Sequence, residues 1–373
     1  MKLRVGVIFG GRSGEHEIAL RSAKTVIEQI DKDKYEVVPI AIDRSGGWLN
    51  PAEALQLLTE ATRDTLPEKF EEFADTFVIL AGDTRLKGLT SSDAALSKSL
   101  DVVFPVLHGT FGEDGTIQGL LEMADVPYVG CGVLASACGM DKAVMKILFR
   151  DAGLPICKYL WFLRSEFESN PDAVVAQVGK TLGFPCFAKP ANLGSSVGVS
   201  KVTEESDLRE AIELASEFDR KIIIEEALEM REIECAVIGN DAPRASLPGE
   251  YLIRDQEKAF LDYTEKYSGT GNNEFVVPAP VSAELSKKIQ QMAITAFKAV
   301  DGSGLARVDF FLRTDNGELL VNEINTMPGL TDASGFPKMW EGSGMSFPKV
   351  IDFLIDSAIS RHTDRSRNKT SLL

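Results

Sequence analysis

The sequence has 373 residues, enough for two or three domains at roughly 100–200 residues each, and its 44% of hydrophobic residues suffices for sizeable cores. A formal net charge of −16 excludes nucleic acid and anionic membrane as main partners, while leaving room for an anionic nucleotide in a locally positive site. No apolar run approaches the ~18–20 residues that span a bilayer. Five cysteines, Cys131, Cys138, Cys157, Cys186 and Cys235, show neither a Cys-x-x-Cys pair nor histidines at metal spacing, so they read as buried free thiols in a reducing cytoplasm. The opening apolar run ends at Gly10-Gly11 before an acidic helix and without a cleavage-type site, which reads as a buried first strand rather than a signal peptide.

In chain order, Leu3–Phe9 is a short strand and Gly10-Gly11 a tight turn. Ser13 caps a helix whose Ile18, Ala19, Val26, Ile27 and Ile30 recur at helical spacing. Tyr35–Ile42 and Asp101–Leu107 are further strands, the latter ending at His108-Gly109. Strands alternating with helices predict an open, mostly parallel α/β sheet over residues 1–126. Ligands bind such sheets beyond the carboxyl ends of the strands, where Gly10–Glu15 and His108–Gly115 fall. A second unit, 127–229, carries a helix at Lys142–Asp151 and strands at Leu182–Lys189, Val197–Val202 and Lys221–Glu226. A third, 230–373, carries strands at Ile233–Ile238, Ala306–Leu312 and Leu319–Asn325, a helix at Glu284–Val300, and a polar tail, Arg361–Leu373, expected to fray.

The most informative local feature is Asp315-Asn316-Gly317 between two apolar runs, a hairpin signal. Folding about Asn316 sets Asp309 opposite Glu323 and Arg307 opposite Asn325, and residues two apart in a strand share a face. Opposed Cβ atoms lie about 4.5–5.5 Å apart, where two carboxylates repel, and apolar surroundings raise that cost. A divalent cation resolves the conflict, because Asp309, Glu323 and Asn325 offer the hard oxygens that Mg²⁺ takes together with phosphate. The competing reading is a solvated face on which Arg307 pairs locally, and a one-residue slip would turn these side chains over.

Upstream, an apolar run ends in Lys189-Pro190 and leads into Asn192-Leu-Gly-Ser-Ser-Val-Gly198. Small residues let backbone N–H groups approach phosphate oxygens, Ser195 and Ser196 add donors, and Lys189 adds charge. The loop itself lacks Gly-Lys-Ser/Thr and a strand follows it, so it is not a Walker loop. Read alone it is an ordinary hairpin loop; the downstream metal set gives it meaning. Lys142 opens a helix after Met140-Asp141, and Ile222–Ile224 runs into Glu225-Glu226, which is either a wall for a nucleotide's base or ribose or a plain strand end.

Several segments together resemble the D-alanine–D-alanine ligases of the ATP-grasp superfamily, in order, from residue 3 to about 358. They are Gly10-Gly11-Arg-Ser13-Gly-Glu15-His16-Glu17, His108-Gly109-x-x-Gly112-Glu113-Asp114-Gly115, Met140-Asp141-Lys142, and Lys189-Pro190 through Gly198. Arg231-Glu232-Ile-Glu234, Lys266-Tyr267, Arg307-Val308-Asp309 and Asn322-Glu323-Ile-Asn325-Thr-x-Pro328-Gly329 complete the set. The resemblance implies an α/β (α+β ATP-grasp) fold: an N-terminal Rossmann-like open parallel sheet (1–126), then two α+β subdomains (127–229 and 230–373) that clasp ATP between them, the last with a mobile lid at about 255–278. It implies a cytoplasmic homodimer that joins two D-alanines into D-alanyl-D-alanine for peptidoglycan synthesis, using ATP and two Mg²⁺ ions (Mn²⁺ as a substitute), through an acyl phosphate.

Carried over by motif, Lys142, Lys189, Ser195, Ser196 and Lys266 meet the ATP phosphates, and Glu225, Leu228 and Glu232 the adenosine. Asp309 and Glu323 bind one Mg²⁺, and Glu323 with Asn325 the second. Glu15 holds the first D-alanine's ammonium with His108 nearby, and Tyr267 bonds toward Glu15 and Ser195. Arg307 and a backbone N–H at Gly329 stabilise the oxyanion, and Ser334 belongs to the second substrate's site. Closure of the lid would exclude the water that hydrolyses an acyl phosphate.

Three positions depart from the family pattern. Leu261 stands where many relatives have an aromatic, with Tyr263 close by; Tyr251 replaces a commoner Ile; and Gly335 stands where Leu or Met flanks the second-substrate site. Gly335 predicts a larger or more mobile acceptor pocket with measurable D-serine or D-lactate acceptance, although Tyr267 argues against D-lactate. A nucleotide-binding regulator on a dead ligase scaffold is disfavoured by the intact set Glu15, Lys189, Arg307, Asp309, Glu323 and Asn325. A nicotinamide dehydrogenase is disfavoured because the first strand lacks Gly-x-Gly-x-x-Gly.

Overall fold

The computed structural model describes residues 2–62, 100–195, 197–253 and 273–369. Its first sheet holds β1 (Leu3–Gly10), β2 (Tyr35–Ile42), β3 (Trp48–Leu49) and β4 (Val102–Val106) in the order β3-β2-β1-β4. β1 runs parallel to β2 and β4, and β3 is a short antiparallel edge. The near-continuous apolar sequences of β1 and β4 suit a parallel sheet covered on both faces. Helices α1 (His16–Gln29), α2 (Pro51–Thr62) and α3 (Thr116–Met123) accompany it. The expected helix cap is corrected: Glu15 holds the N-cap position of α1 without a side-chain cap bond. Ser13 instead donates to the His108 carbonyl (2.7 Å) and accepts from the Glu15 amide (2.9 Å), tying the end of β1 to the end of β4.

Helices α4 (Val133–Met140) and α5 (Lys142–Asp151) precede the second sheet, β5 (Tyr159–Leu163), β6 (Cys186–Pro190), β7 (Ser200–Val202) and β8 (Lys221–Glu226), antiparallel in the order β5-β8-β6-β7. Around it lie α6 (Arg164–Ser169), α7 (Pro171–Thr181) and α8 (Leu208–Phe218). The strand expected from Leu182 begins only at Cys186, because α7 runs to Thr181 and Gly183, at φ 71°, closes it in the left-handed conformation that glycine adopts freely.

The third sheet comprises β9 (Met230–Gly239), β10 (Arg244–Ala245), β11 (Gly249–Ile253), β12 (Asn273–Val276), β13 (Gly304–Arg313) and β14 (Leu319–Asn325). Its order is β12-β11-β9-β13-β14, with β10 on β9. Helices α9 (Ala283–Ala299), α10 (Gly335–Gly342) and α11 (Phe347–Arg365) complete the described chain.

The cores cross the sequence boundaries between these sheets. Met145 and Phe149 of α5 pack with Ile233, Val237, Phe297 and Phe310, so a helix preceding the second sheet is buried on the third. Val350, Ile351 and Leu354 of α11 join Val5, Val7 and Phe104, so the last helix covers the first sheet. Each such side chain contributes about 1.5–3 kcal/mol of burial. The tail expected to fray from Arg361 is also corrected: α11 continues to Arg365. Arg361 donates to the carbonyls of Tyr128 (2.9 Å) and Gly130 and to the Ser303 hydroxyl, and its guanidinium lies 4.4 Å from the Tyr128 ring centre. All five cysteines are free thiols, four of them buried and Cys138 half-buried. Among the described residues no helix is long and apolar enough to cross a membrane.

Candidate active site

The β13–β14 hairpin sets Arg307 opposite Asn325 and Asp309 opposite Glu323, as the sequence predicts. A bulge makes this so. Nearer the turn, Leu312 pairs with Leu319 and Phe310 with Val321, and continuing that register would face Asp309 with Asn322. The irregularity between Asp309 and Phe310 takes up one extra residue, and a bulge of this kind re-aims side chains. Here it puts Glu323, not Asn322, beside Asp309.

Charges converge on this face. The Arg307 guanidinium spans Asp309, Nε to Oδ1 and Nη2 to Oδ2 both at 2.7 Å, and its Nε lies 3.5 Å from Glu234. The local pairing of Arg307 and the carboxylate cluster therefore coexist. Lys142 Nζ lies 3.3 Å from Glu323 and holds its carboxyl down to about 2 against the opposing effect of burial, with Lys189 and Arg307 adding to it. Lys142 is the first residue of α5, whose start is fixed by Asp141 accepting from the Ala143 and Val144 amides (3.1 Å each). Its Nζ also donates to the Leu193 carbonyl (3.0 Å), linking the loop after β6 to the third sheet. Lys189, on β6, donates to Glu225 (2.7 Å). Among the described residues no group of three or more His, Cys, Asp or Glu is placed to hold a metal ion. The candidate set is two carboxylates and the Asn325 amide on one face, a donor set that fits Mg²⁺, which usually takes one or two carboxylates and completes its shell with phosphate and water.

Across the same cavity stand groups borne on turns. Glu15 follows the Gly10-Gly11 turn, and the loop after β6 closes over it: a Cβ on Gly194 would come within 2.8 Å of the Glu15 carboxylate and push the end of that side chain aside. His108, at the end of β4, is buried. Its Nδ1 donates to the Met327 carbonyl (2.9 Å), and its Nε2 is hydrogen-bonded to the Ser22 hydroxyl (2.9 Å). Ser22 in turn accepts from the Leu330 amide (3.2 Å), so α1, β4 and the loop after β14 are held together. Glu113 lies 3.5 Å from His108, and burial pushes its carboxyl up to about 7, with His108 opposing.

One cavity thus gathers Glu15, His108, Ser195 and Gly329 with Lys142 and Lys189, and with Glu232, Arg307, Asp309, Glu323 and Asn325. Three expected site residues do not line it. Glu225 is 3% exposed, its two oxygens lying against Lys146 and Lys189. Leu228 lies outside the lining, and the Ser334 hydroxyl is turned to Thr331 (2.7 Å). Ser196, Leu261, Tyr263, Lys266, Tyr267 and the 255–272 part of the expected lid lie outside the described residues.

Sequence reasoning gave no role to Lys146, Glu113 or Glu234. Lys146 had a usable signal, one helical turn after Lys142 within a helix otherwise burying apolar groups. The open pocket expected at Gly335 is also corrected. A Cβ there would meet Glu234 at 2.5 Å and the Phe275 ring at 2.8 Å, and Phe275 packs on Tyr251 with ring centres 4.6 Å apart. The space is filled by Glu234 of β9 and Phe275 of β12, and the glycine is what admits them.

Two α+β lobes facing one another across a cleft of lysines and carboxylates, joined to an open parallel sheet, define the ATP-grasp class of ligases. Models of the D-ala D-ala ligase N-terminus and C-terminus match residues 4–131 and 148–356. The chain is 45% identical to the D-alanine–D-alanine ligase of Heliobacterium modesticaldum, covering 100% of this chain and 99% of that one. The structure of the D-alanine–D-alanine ligase from Coxiella burnetii superposes with a TM-score of 0.82 at 38% identity, covering 98% of this chain and 96% of that one. The VanG D-Ala:D-Ser ligase from Enterococcus faecalis follows at 0.79 and 36%, covering 96% and 100%. The chain belongs to the D-alanine–D-alanine ligase family.

Proposed function

We propose that the chain joins two D-alanines into D-alanyl-D-alanine for peptidoglycan synthesis, converting ATP to ADP and phosphate, in the cytoplasm and as a homodimer. The observation that carries this reading is the meeting of Lys142, Lys189 and the Arg307–Asp309–Glu323 face with Glu15 in one cavity. Lys142 and Lys189 hold the ATP phosphates, Ser195 donates to them from the loop after β6, joined by motif alone by Ser196, and Glu232 meets the nucleoside. Asp309, Glu323 and Asn325 would hold the Mg²⁺ ions, which when bound neutralise charge on the transferring phosphoryl group.

Glu15 takes the ammonium of the first D-alanine, whose carboxylate oxygen attacks the γ-phosphorus. The bond to the bridging oxygen breaks and ADP leaves. The amine of the second D-alanine then attacks the acyl carbon, losing a proton, and inorganic phosphate departs. Arg307 and the Gly329 amide, both in the cavity wall, stabilise the oxyanion of that step. Much of the acceleration comes from positioning the reactants and offsetting their charge. By motif alone, Lys266 joins the phosphate contacts and Tyr267 stands with Glu15 and Ser195. The working division is 1–126, 127–229 and 230–373.

D-Alanine is the favoured acceptor over D-serine and D-lactate, since Glu234 and Phe275 fill the room that Gly335 would otherwise open. Phosphate release from ATP with each acceptor, together with identification of the product, tests the reading. D-Alanine-dependent release with D-alanyl-D-alanine formed supports it; equal or faster turnover with D-lactate or D-serine overturns the acceptor. Sedimentation tests the dimer, which a purely monomeric protein would exclude.

A further inference from the structure

The mechanism above makes no use of the most deeply buried cation in the described molecule. Lys146, on α5, has a side chain only 1% exposed, and a charge so placed is sustained only by a partner. Its Nζ lies 2.9 Å from Glu225 Oε1, and 3.4 Å from both the Cys157 sulfur and the Asn322 carbonyl. The other oxygen of Glu225, Oε2, lies 2.7 Å from Lys189 Nζ. One carboxylate therefore stands between two lysines, and of the three groups only Lys189 lines the cavity.

The charges decide what each can do. Burial would strip the proton from Lys146, yet Glu225 outweighs it and holds the lysine above its ordinary value. Burial likewise opposes ionisation of Glu225, and the two lysines together hold that carboxyl well below its ordinary value. Glu225 and Lys146 cancel beneath the cavity floor, so the charge of Lys189 is left over for whatever occupies the cavity. Without Lys146, the carboxylate of Glu225 would cancel Lys189 instead. The pair also spans two lobes, since α5 packs on the third sheet while Glu225 belongs to β8 of the second.

We propose that Lys146 is a positioning residue for the nucleotide: by neutralising Glu225 it frees the Lys189 charge for the phosphates. This rests on the reading that Lys189 meets the phosphates of ATP.

The test measures KM for ATP and for D-alanine, by phosphate release from the full chain, in Lys146→Met, Glu225→Gln, the double variant and Lys189→Met. Lys146→Met should raise KM for ATP roughly 10- to 100-fold, the weight of one charge-assisted contact, and leave KM for D-alanine nearly unchanged. The double variant replaces the buried pair by neutral groups of like shape, which proteins tolerate, and should return KM for ATP to near the parent value. A double variant as impaired toward ATP as Lys146→Met, or equal rises in both KM values, would overturn the proposal. Should Lys146→Met fail to fold, the double variant still decides, because a raised KM for ATP in it contradicts the charge account. Lys189→Met separates the two levels. Unchanged KM for ATP there removes the phosphate reading itself, whereas a rise there without rescue in the double variant removes only the role of Lys146.

Discussion

On the proposed phosphate side of the cleft the charged groups stand on regular elements: Lys142 on α5, Lys189 on β6, Arg307 and Asp309 on β13, Glu323 and Asn325 on β14. On the amino-acid side they stand on turns: Glu15 after β1, His108 after β4, Gly329 after β14. The first side is positioned by sheet register and helix start, so each group has its own local support. The second is positioned by mutual bonds, His108 to Met327 and Ser22, Ser22 to Leu330, Ser13 to His108, so displacing one turn displaces the others. Losses on the phosphate side should fall on kcat and ATP, and those on the amino-acid side on D-alanine and on stability.

The largest expected effect lies on the phosphate side. Glu323→Ala should lower kcat for phosphate release by on the order of 10³ with the cooperative unfolding transition retained, because the proposed ligand of the charge-neutralising Mg²⁺ is lost. Retained turnover in both Glu323→Ala and Asp309→Ala would sink the metal assignment. On the other side, Glu15→Gln should raise KM for D-alanine roughly 10- to 100-fold, with KM for ATP nearly constant. A shift in both substrates would erase the distinction between the two sides.

Gly335→Leu sharpens the comparison through packing. The added side chain meets Phe275 and Glu234, and overpacking of this kind costs about 1–3 kcal/mol, read as a lower urea midpoint together with weaker D-alanine use. Phe275→Ala in the same chain should recover much of the loss. A stable, fully active Gly335→Leu would show that the space is open after all.

The smallest effect is a pH slope. Burial raises the Glu113 carboxyl from its ordinary 4.5 to about 7. His108 is also raised, Glu113 and Glu15 overriding the opposing effect of burial. Both bind more protons folded than unfolded, so the stabilisation linked to Glu113 is full below about pH 4.5 and is lost as pH rises through about 7. Urea midpoints should fall across that window, and Glu113→Gln should flatten the fall; an unchanged slope in the variant would exclude Glu113 as its source.

The phosphate side was the more legible in sequence because strand alternation and turn chemistry are local. Asp309 opposite Glu323 follows from the hairpin, although folding about Asn316 succeeds only through a bulge that no residue between Asp309 and Glu323 announces. Ser13, Arg361 and Gly335 were misread for one shared reason: what each touches lies far along the chain, at His108, Tyr128 and Phe275. Glu225 read as either a nucleotide wall or a plain strand end, because its strand ends in acids. Its burial depends on Lys146 and Lys189 arriving from other elements. The open parallel sheet and the two lobes were readable from periodicity and motif, whereas the packing of α5 on the third sheet was not, since an amphipathic helix does not specify which sheet it covers.

The most direct test of the central claim is the stoichiometry of phosphate to dipeptide in the presence of ATP, Mg²⁺ and D-alanine. The account predicts one D-alanyl-D-alanine for each phosphate, negligible release without D-alanine, and little incorporation of D-serine or D-lactate in competition. Phosphate release that ignores D-alanine, or a product in which another acceptor predominates, would contradict it.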